Sequence, residues 1–287
     1  MSQPRLLLVH AHPDDETINN GVTMAKYVAQ GCQVTLVTCT RGEEGEVLVP
    51  ELAHLASSHE DGLGAHREIE LKNAMQELGV SDFRFLGAPN KKWRDSGMMG
   101  SEPNNRVDNF WNANLDEAAE SLVAIILETR PHVLITYDEF GGYGHPDHIQ
   151  AHRVAMRGAE IARERGWEIQ KIYWNTIPRS VIEQGIEAMK DTGNQFFGVD
   201  KAEDFPFAQP DELVTTVIDG EAFVDKKMAA MRAHPTQISV DGPFFALSDN
   251  LGFKVWGLEF YRLVHGDLGG ERNSDGRETE LFAGVKL

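Results

Sequence analysis

Residues 6–17, LLLVHAHPDDET, pass within a few positions from an apolar run to His10, His12, Asp14, Asp15 and Glu16. A second polar knot, Tyr143-Gly144-His145-Pro146-Asp147-His148, lies more than a hundred residues downstream. Imidazole nitrogens and carboxylate oxygens are the donors zinc takes, and a catalytic site wants three of them with one position left for water. His12 and Asp15, three apart across a turn, can aim at one point, and His148 completes the count. Asp14 is then the candidate general base toward an activated water, and His145 the general acid or oxyanion partner. Asp147 is placed to orient His145 through a ring N–H. Zn²⁺ is the expected ion, and Fe²⁺ suits the same two-nitrogen, one-oxygen set.

Each of these residues also has a plainer use. Asp14 or Asp15 can cap a helix beginning near Glu16, and Asp147 one that follows Pro146, for about 1 kcal/mol each. A lone His-x-x-Asp favours capping, whereas two His/Asp loops in one chain favour a metal. His10, two residues before His12, reads as buried support on the same side of a strand. His152 lies four after His148 without the Glu of an H-E-x-x-H pattern, so it reads as a helix-face residue, with a ligand role as the alternative.

Such loops need elements to aim them. RLLLVH (5–10), QVTLVTCT (33–40), FRFLG (83–87) and HVLITYD (132–138) are short apolar runs, as expected of strands buried on both faces. Helical patterns lie between them at 16–30, 65–78 and 115–129, and another follows at 147–165. Strict alternation predicts an α/β fold, Rossmann-like, with a mostly parallel sheet covered by helices. In such sheets ligands bind beyond the carboxyl ends of the strands. The four strands lead into HPDDE, TRGEEGE, GAPNKKWRDSG and YDEFGGYGHPDH, all chemically loaded, while the return turns near Gly31 and Gly79 are plain.

Beyond Gly166 the pattern gives a strand at QKIYWNTIP, a helix near 180–190, a polar stretch over 191–211, a strand at ELVTTVIDG and a helix over 221–233. KVWGLEFYRLVHG is aromatic enough to pack down, and GGERNSDGRETE reads as solvated and mobile. The expected division is a catalytic core over 1–165 and a smaller C-terminal extension over 166–287 that completes the substrate pocket.

Composition narrows the chemistry further. The 287 residues carry 45 acidic against 27 basic side chains, a formal charge of −18, which disfavours nucleic acid and anionic membrane surfaces. No apolar run reaches the roughly 18 residues of a membrane span. Cys32 and Cys39 are too few for a disulfide framework, so a cytoplasmic chain is expected, with Cys39 a buried thiol. A nucleotide is disfavoured as well, because the first strand is followed by two aspartates where a dinucleotide fingerprint needs glycines.

His12-Pro13-Asp14-Asp15-Glu16 with Gly144-His145-Pro146-Asp147-His148 resembles the paired signatures of the LmbE-like (PIG-L) zinc-dependent N-deacetylases. The resemblance runs on through TCTRGEEGEV, WRDSGM, RPHVLITYD and GGYGHPDH to RAHPTQIS. It implies a metal held at His12, Asp15 and His148, with Asp14 as base. It also gives Tyr143, which spacing left unassigned, a role in polarising the amide carbonyl and stabilising the tetrahedral intermediate, with His145 assisting as acid. Glu46, Arg67 and Asp95 match family positions that contact sugar or inositol, and carboxylates and guanidinium are the groups that discriminate hydroxyls. Each could also form a surface ion pair, a reading that weighs chiefly on Arg67, inside a helical pattern. Met98 and Trp93 offer apolar contact to a ring face, or core packing.

The implied activity is hydrolysis of the acetamide of N-acetylglucosaminyl-inositol, releasing acetate in mycothiol biosynthesis. The partner is then a small amino-sugar molecule, and the enzyme a monomer or small homo-oligomer. Mycothiol S-conjugate amidase action, or deacetylation of another N-acetylglucosaminide, is the alternative; Gly144 stands where the amidases carry proline. A carbohydrate-binding module without catalysis is the reading from a different class, and Asp14 counts against it.

Overall fold

The computed structural model describes residues 3–189, 201–205, 208–240 and 256–287. Most of the polar stretch expected over 191–211, and Lys254 and Val255 of the aromatic segment, lie outside these residues.

The chain alternates as expected through β1 (Arg5–His10), α1 (Asp15–Ala29), β2 (Gln33–Thr38), α2 (Leu63–Leu78), β3 (Asp82–Phe85), α3 (Leu115–Thr129) and β4 (Val133–Thr136). A four-residue turn, α4 (Gly141–Gly144), then precedes α5 (Pro146–Glu164) and β5 (Lys171–Pro178). The remainder is α6 (Arg179–Met189), β6 (Ala208–Gln209), β7 (Thr216–Asp219), α7 (Val224–Arg232) and β8 (Leu258–His265).

The strands form one sheet in the order β3-β2-β1-β4-β5-β8-β7, with β6 beside β5. Pairing is parallel from β3 through β5, and β8 turns it antiparallel against both β5 and β7. The strands after residue 165 thus continue the sheet begun by β1. Because β1 is central, both its faces are covered. Leu7 and Val9 pack toward Leu122, Ile126 and Val154 of α3 and α5, while Leu6 and Leu8 pack toward Met24, Leu71 and Met75 of α1 and α2. That accounts for a strand with no polar alternation until His10. Among the described residues no helix is long and apolar enough to cross a membrane.

Two features depart from simple patterning. GGERNSDGRETE was expected to be solvated, yet Glu278 is fully buried, bonded to Lys171 Nζ (2.5 Å), Tyr173 Oη (2.6 Å) and the Gly269 N–H (2.8 Å). Its backbone also exchanges bonds of 2.9 Å with Thr215 and Val217, so the segment edges β7. A single carboxylate with a full set of donors anchors a run that is otherwise polar.

The second is a break inside α1, where Asn20 leaves helical geometry at φ −137°. Its side chain is held by His10 Nε2 (2.7 Å), Asn175 (2.8 Å) and Tyr261 (2.9 Å). Just past the break, the Val22 and Thr23 N–H groups donate to Glu259 of β8 at 3.1 and 2.8 Å, in the manner of a helix start. Lys227 of α7 balances that carboxylate at 2.7 Å, and a Cβ on Gly21 would fall 2.8 Å from the Lys227 stem. The turn that carries Asp15 is thereby set apart from the rest of α1. Replacing Glu259 by alanine strands a buried ammonium and two N–H groups, so chemical denaturation should show a loss of about 3–5 kcal/mol. A loss under about 1 kcal/mol would contradict the capping role.

Candidate active site

The sheet order reverses between β1 and β4, where a parallel sheet opens a crevice at its carboxyl edge. A cavity of about 540 Å³ lies there. It takes His12, Asp14 and Asp15 from the β1 loop, Glu44 and Glu46 from the β2 loop, and Asp95 and Met98 from the β3 loop. Tyr143, His145 and His148 enter after β4, Arg67 from α2, and Gln237 from beyond α7.

Donor atoms of His12, His145 and His148 gather within 4.8 Å of one another, as do those of His12, Asp95, His145 and Asp147. Hydrogen bonds sort these imidazoles by which nitrogen carries a proton. His12 Nε2 lies 3.2 Å from Asp147 Oδ2, and a carboxylate only accepts, so a proton sits on Nε2 and in the neutral ring Nδ1 keeps its lone pair. His148 Nδ1 meets the Gly141 carbonyl at 3.1 Å, which places a proton there and, in the neutral ring, leaves Nε2, buried and without a hydrogen-bond partner among the described residues, as a lone pair. His145 is the opposite case. Its Nδ1 accepts the Asp147 N–H at 3.1 Å, so in the neutral ring Nε2 is a donor and no lone pair is left over.

The two remaining nitrogens converge on one oxygen: His12 Nδ1 and His148 Nε2 each lie 3.4 Å from Asp15 Oδ2. Lone pairs facing a carboxylate repel unless a cation or proton lies among them. Ligands about 2.1 Å from a tetrahedral zinc stand about 3.4 Å apart, so both separations fit that ion. The surroundings agree. Burial opposes a charge on His12, yet Asp95 and Asp147 beside it raise its pKa well above the ordinary imidazole range, which marks a place that stabilises positive charge.

The carboxylate of Asp147 was expected to orient His145, and this is corrected. Asp147 is fully buried, and its carboxylate binds His12 Nε2, the Ser96 N–H (2.8 Å) and the Ser96 hydroxyl; only its backbone N–H reaches His145. The reason is local: with Pro146 opening α5, His145 is the cap residue, and its ring faces the first free N–H.

Capping is also not what the β1 aspartates do. Asp14 occupies the cap position of α1 without a side-chain cap bond, and its φ of 113° is a left-handed value that costs of order 1–3 kcal/mol in a residue with a Cβ. Asp15 Oδ2 turns back to accept the His12 N–H at 2.9 Å. The Asp14 carboxyl, 17% exposed, lies 3.3 Å from Arg67 Nη2. Burial raises its pKa against the pull of Arg67, so it is a stronger base than an ordinary aspartate. His145, by contrast, is pushed down to about 3 by burial and by the neighbouring His12 and His148, and stays neutral. Burial likewise pushes the Tyr143 phenol up, keeping it protonated.

The remaining expected residues divide. Asp95 is buried at the cavity wall, held by the Gly97 and Glu44 N–H groups at 2.8 and 3.2 Å and 3.6 Å from His12 Nε2. Arg67 is buried and turned to backbone, toward the carbonyls of Gly42 (2.8 Å) and Pro13. Glu46 and Met98 stand exposed at the rim. Trp93 is core, tilted against Phe110 at 6.1 Å. His10 lies under α1, bonded to Asn20 and to Tyr137 (3.1 Å), and Tyr137 stacks on His148 at 4.3 Å. His152 gives Nδ1 to the Tyr137 carbonyl at 3.0 Å, a helix-face role. Residue-type reasoning passed over Ser96, Tyr137 and Gln237. Only the loop position of Ser96, beside Asp95, could have pointed to one of them.

Comparison with known proteins places the chain in a family. The PIG-L family model, GlcNAc-PI de-N-acetylase, matches residues 7–159. A 1D-myo-inositol 2-acetamido-2-deoxy-alpha-D-glucopyranoside deacetylase of Geodermatophilus obscurus is 60% identical over 98% of each chain. One of Catenulispora acidiphila is 56% identical over 99% of this chain and 90% of its own. Among solved structures, the N,N'-diacetylchitobiose deacetylase of Pyrococcus horikoshii superposes with TM-score 0.58 at 18% identity, over 92% of this chain and 84% of that one. The 4-carboxy-2-hydroxymuconate hydratase GalB of Pseudomonas putida gives 0.61 at 18% identity, over 94% and 100%, so the fold alone does not fix the reaction. The family match and the relatives together establish that the chain belongs to the PIG-L family of de-N-acetylases.

Proposed function

We propose that this enzyme hydrolyses the acetamide of N-acetylglucosaminyl-inositol, releasing acetate and glucosaminyl-inositol, the deacetylation step of mycothiol biosynthesis. The observation that carries the reading is the pair of imidazole nitrogens flanking Asp15 Oδ2, each on a ring whose other nitrogen is engaged elsewhere, with the Asp14 carboxyl beside them. The names of the Geodermatophilus and Catenulispora relatives support the substrate.

In this reading His12 Nδ1, Asp15 and His148 Nε2 hold the ion, Zn²⁺ by preference and Fe²⁺ as the alternative for the same donors. When bound, the ion supplies Lewis-acid polarisation of the acetamide oxygen and lowers the pKa of the attacking water. Asp14 accepts the water's proton, a task its raised basicity suits. The Tyr143 hydroxyl and the His145 Nε2–H donate to the oxyanion as the carbonyl carbon becomes tetrahedral. Asp14 or His145 then passes a proton to the departing amine. Asp147 acts through His12, whose tautomer it fixes, and is a positioning residue.

Glu46 and Asp95 serve the hydroxyls of the sugar and inositol, and Met98 covers a ring face at the mouth; Arg67, engaged by the Gly42 and Pro13 carbonyls, is read as support for the Asp14 loop in place of the sugar contact expected from the resemblance. Gln237 brings the C-terminal part into the cavity wall, so 166–287 is read as an extension that completes the pocket around a core of 1–165.

Zinc analysis after dialysis should find the metal lost from His148→Ala and kept by His145→Ala, whose kcat falls about 10²-fold or more. Metal retained without His148 but lost without His145 would reverse the assignment. Asp14→Asn should keep its zinc and release amine from N-acetylglucosaminyl-inositol at least about 100-fold more slowly. Undiminished release would remove Asp14 as base. If the wild type released none while cleaving a mycothiol S-conjugate, the amidase reading would replace this one.

A further inference from the structure

The segment His234-Pro235-Thr236-Gln237 follows α7, more than two hundred residues after the β1 loop, and the chemistry above leaves its histidine without a task. His234 is fully buried, as is Glu16, its partner in the first turn of α1. His234 Nε2 lies 3.1 Å from Glu16 Oε1, and the same oxygen accepts the Thr17 hydroxyl at 2.6 Å. The other oxygen, Oε2, accepts the backbone N–H of Asp14 at 2.9 Å. That N–H belongs to the residue whose φ is 113°. A strained backbone persists only where its surroundings over-determine it, and this bond grips the strained peptide itself.

A carboxylate so used needs a fixed orientation. Thr17 is its immediate neighbour in sequence and moves with it, whereas His234 arrives from a separately anchored segment. The Thr236 N–H and hydroxyl bind Glu70 of α2 at 3.1 and 2.7 Å, and the Thr236 carbonyl accepts the Leu48 N–H at 3.0 Å. Arg67, one turn before Glu70, holds the Pro13 carbonyl and lies beside the Asp14 carboxyl. The peptide entering Asp14 is thus held at its carbonyl by Arg67 and at its N–H by Glu16.

We propose that Glu16 and His234 form a positioning pair: His234 fixes the Glu16 carboxylate, which holds Asp14 in the backbone conformation that presents its side chain as base. This rests on Asp14 being the base, and it assigns His234 no contact with substrate or metal. Loss of the pair should appear in kcat, with KM and metal content unmoved.

The test compares His234→Leu, which has no donor, with His234→Gln, whose amide nitrogen takes the place of Nε2. In the zinc-loaded enzyme, the Leu variant should lose about 10- to 100-fold in kcat at unchanged KM and zinc stoichiometry, the scale of a small misplacement of a catalytic group. The Gln variant should recover to within about threefold of wild type. Hydrogen–deuterium exchange of the peptide spanning 11–17 should speed up in the Leu variant and return toward wild type in the Gln variant. If the Leu variant does not fold, His234→Asn replaces it, since its shorter amide stops short of Glu16. Wild-type kcat and exchange in the donorless variant, or equal impairment of Gln, would overturn the pairing. Asp14→Asn run alongside separates the two ideas: an active Asp14→Asn removes the base, and an inactive one beside an unimpaired His234→Leu removes only the pair.

Discussion

The hydrogen bond between Asp147 Oδ2 and His12 Nε2, 3.2 Å long and fully shielded on the carboxylate side, is the constraint from which the site follows. It holds a proton of His12 on the far nitrogen and turns the near one toward Asp15. Ser96 makes this dependable by binding both Asp147 oxygens, one through its N–H and one through its hydroxyl, so the carboxylate cannot rotate away. The Gly141 carbonyl does for His148 what Asp147 does for His12. Of the gathered imidazoles, His145 alone has its acceptor nitrogen occupied by a backbone N–H, and that one contact is what distinguishes it from His12 and His148. Proximity alone, which groups His145 with His12 and His148, does not make this distinction.

Around this centre, strain and support are divided between distant parts of the chain. Asp14 sits in a left-handed conformation between His12 and Asp15, and Arg67, Glu16 and His234 hold the peptide on either side. The turn bearing Asp15 ends at the Asn20 break, beyond which Glu259 and Lys227 take up the freed N–H groups. Both supports draw on residues after β5. The strands and helix added beyond the parallel sheet therefore act on the loop after β1, although among the described residues Gln237 alone of this part lines the cavity.

The parallel sheet was readable in the sequence because strands buried on both faces must be short apolar runs, and RLLLVH and HVLITYD have almost no polar residue to blur them. The gathering of His12, Asp15, His145 and His148 was readable because loaded loops occurred only at one edge of that sheet. What stayed hidden depends on partners far apart in sequence. Nothing in WRDSG marks Ser96 as the clamp on Asp147, and nothing in HPDDE marks Glu16 as the grip on the Asp14 peptide rather than a surface acid. The role of Asp147 was misjudged because sequence adjacency suggested His145, whereas α5 points that carboxylate across the crevice to His12. Glu278 was misjudged because polarity counts a residue's charge and not its donors.

The central claim is that proton placement, more than proximity, selects the metal ligands. A crystal structure of the zinc-loaded enzyme with anomalous data at the zinc edge tests it directly. The account predicts one peak about 2.0–2.2 Å from His12 Nδ1, His148 Nε2 and an Asp15 oxygen, with the His145 ring outside the coordination sphere and Asp147 still on His12 Nε2. A peak coordinated by His145 together with Asp95 or Asp147, leaving Asp15 unligated, would contradict it.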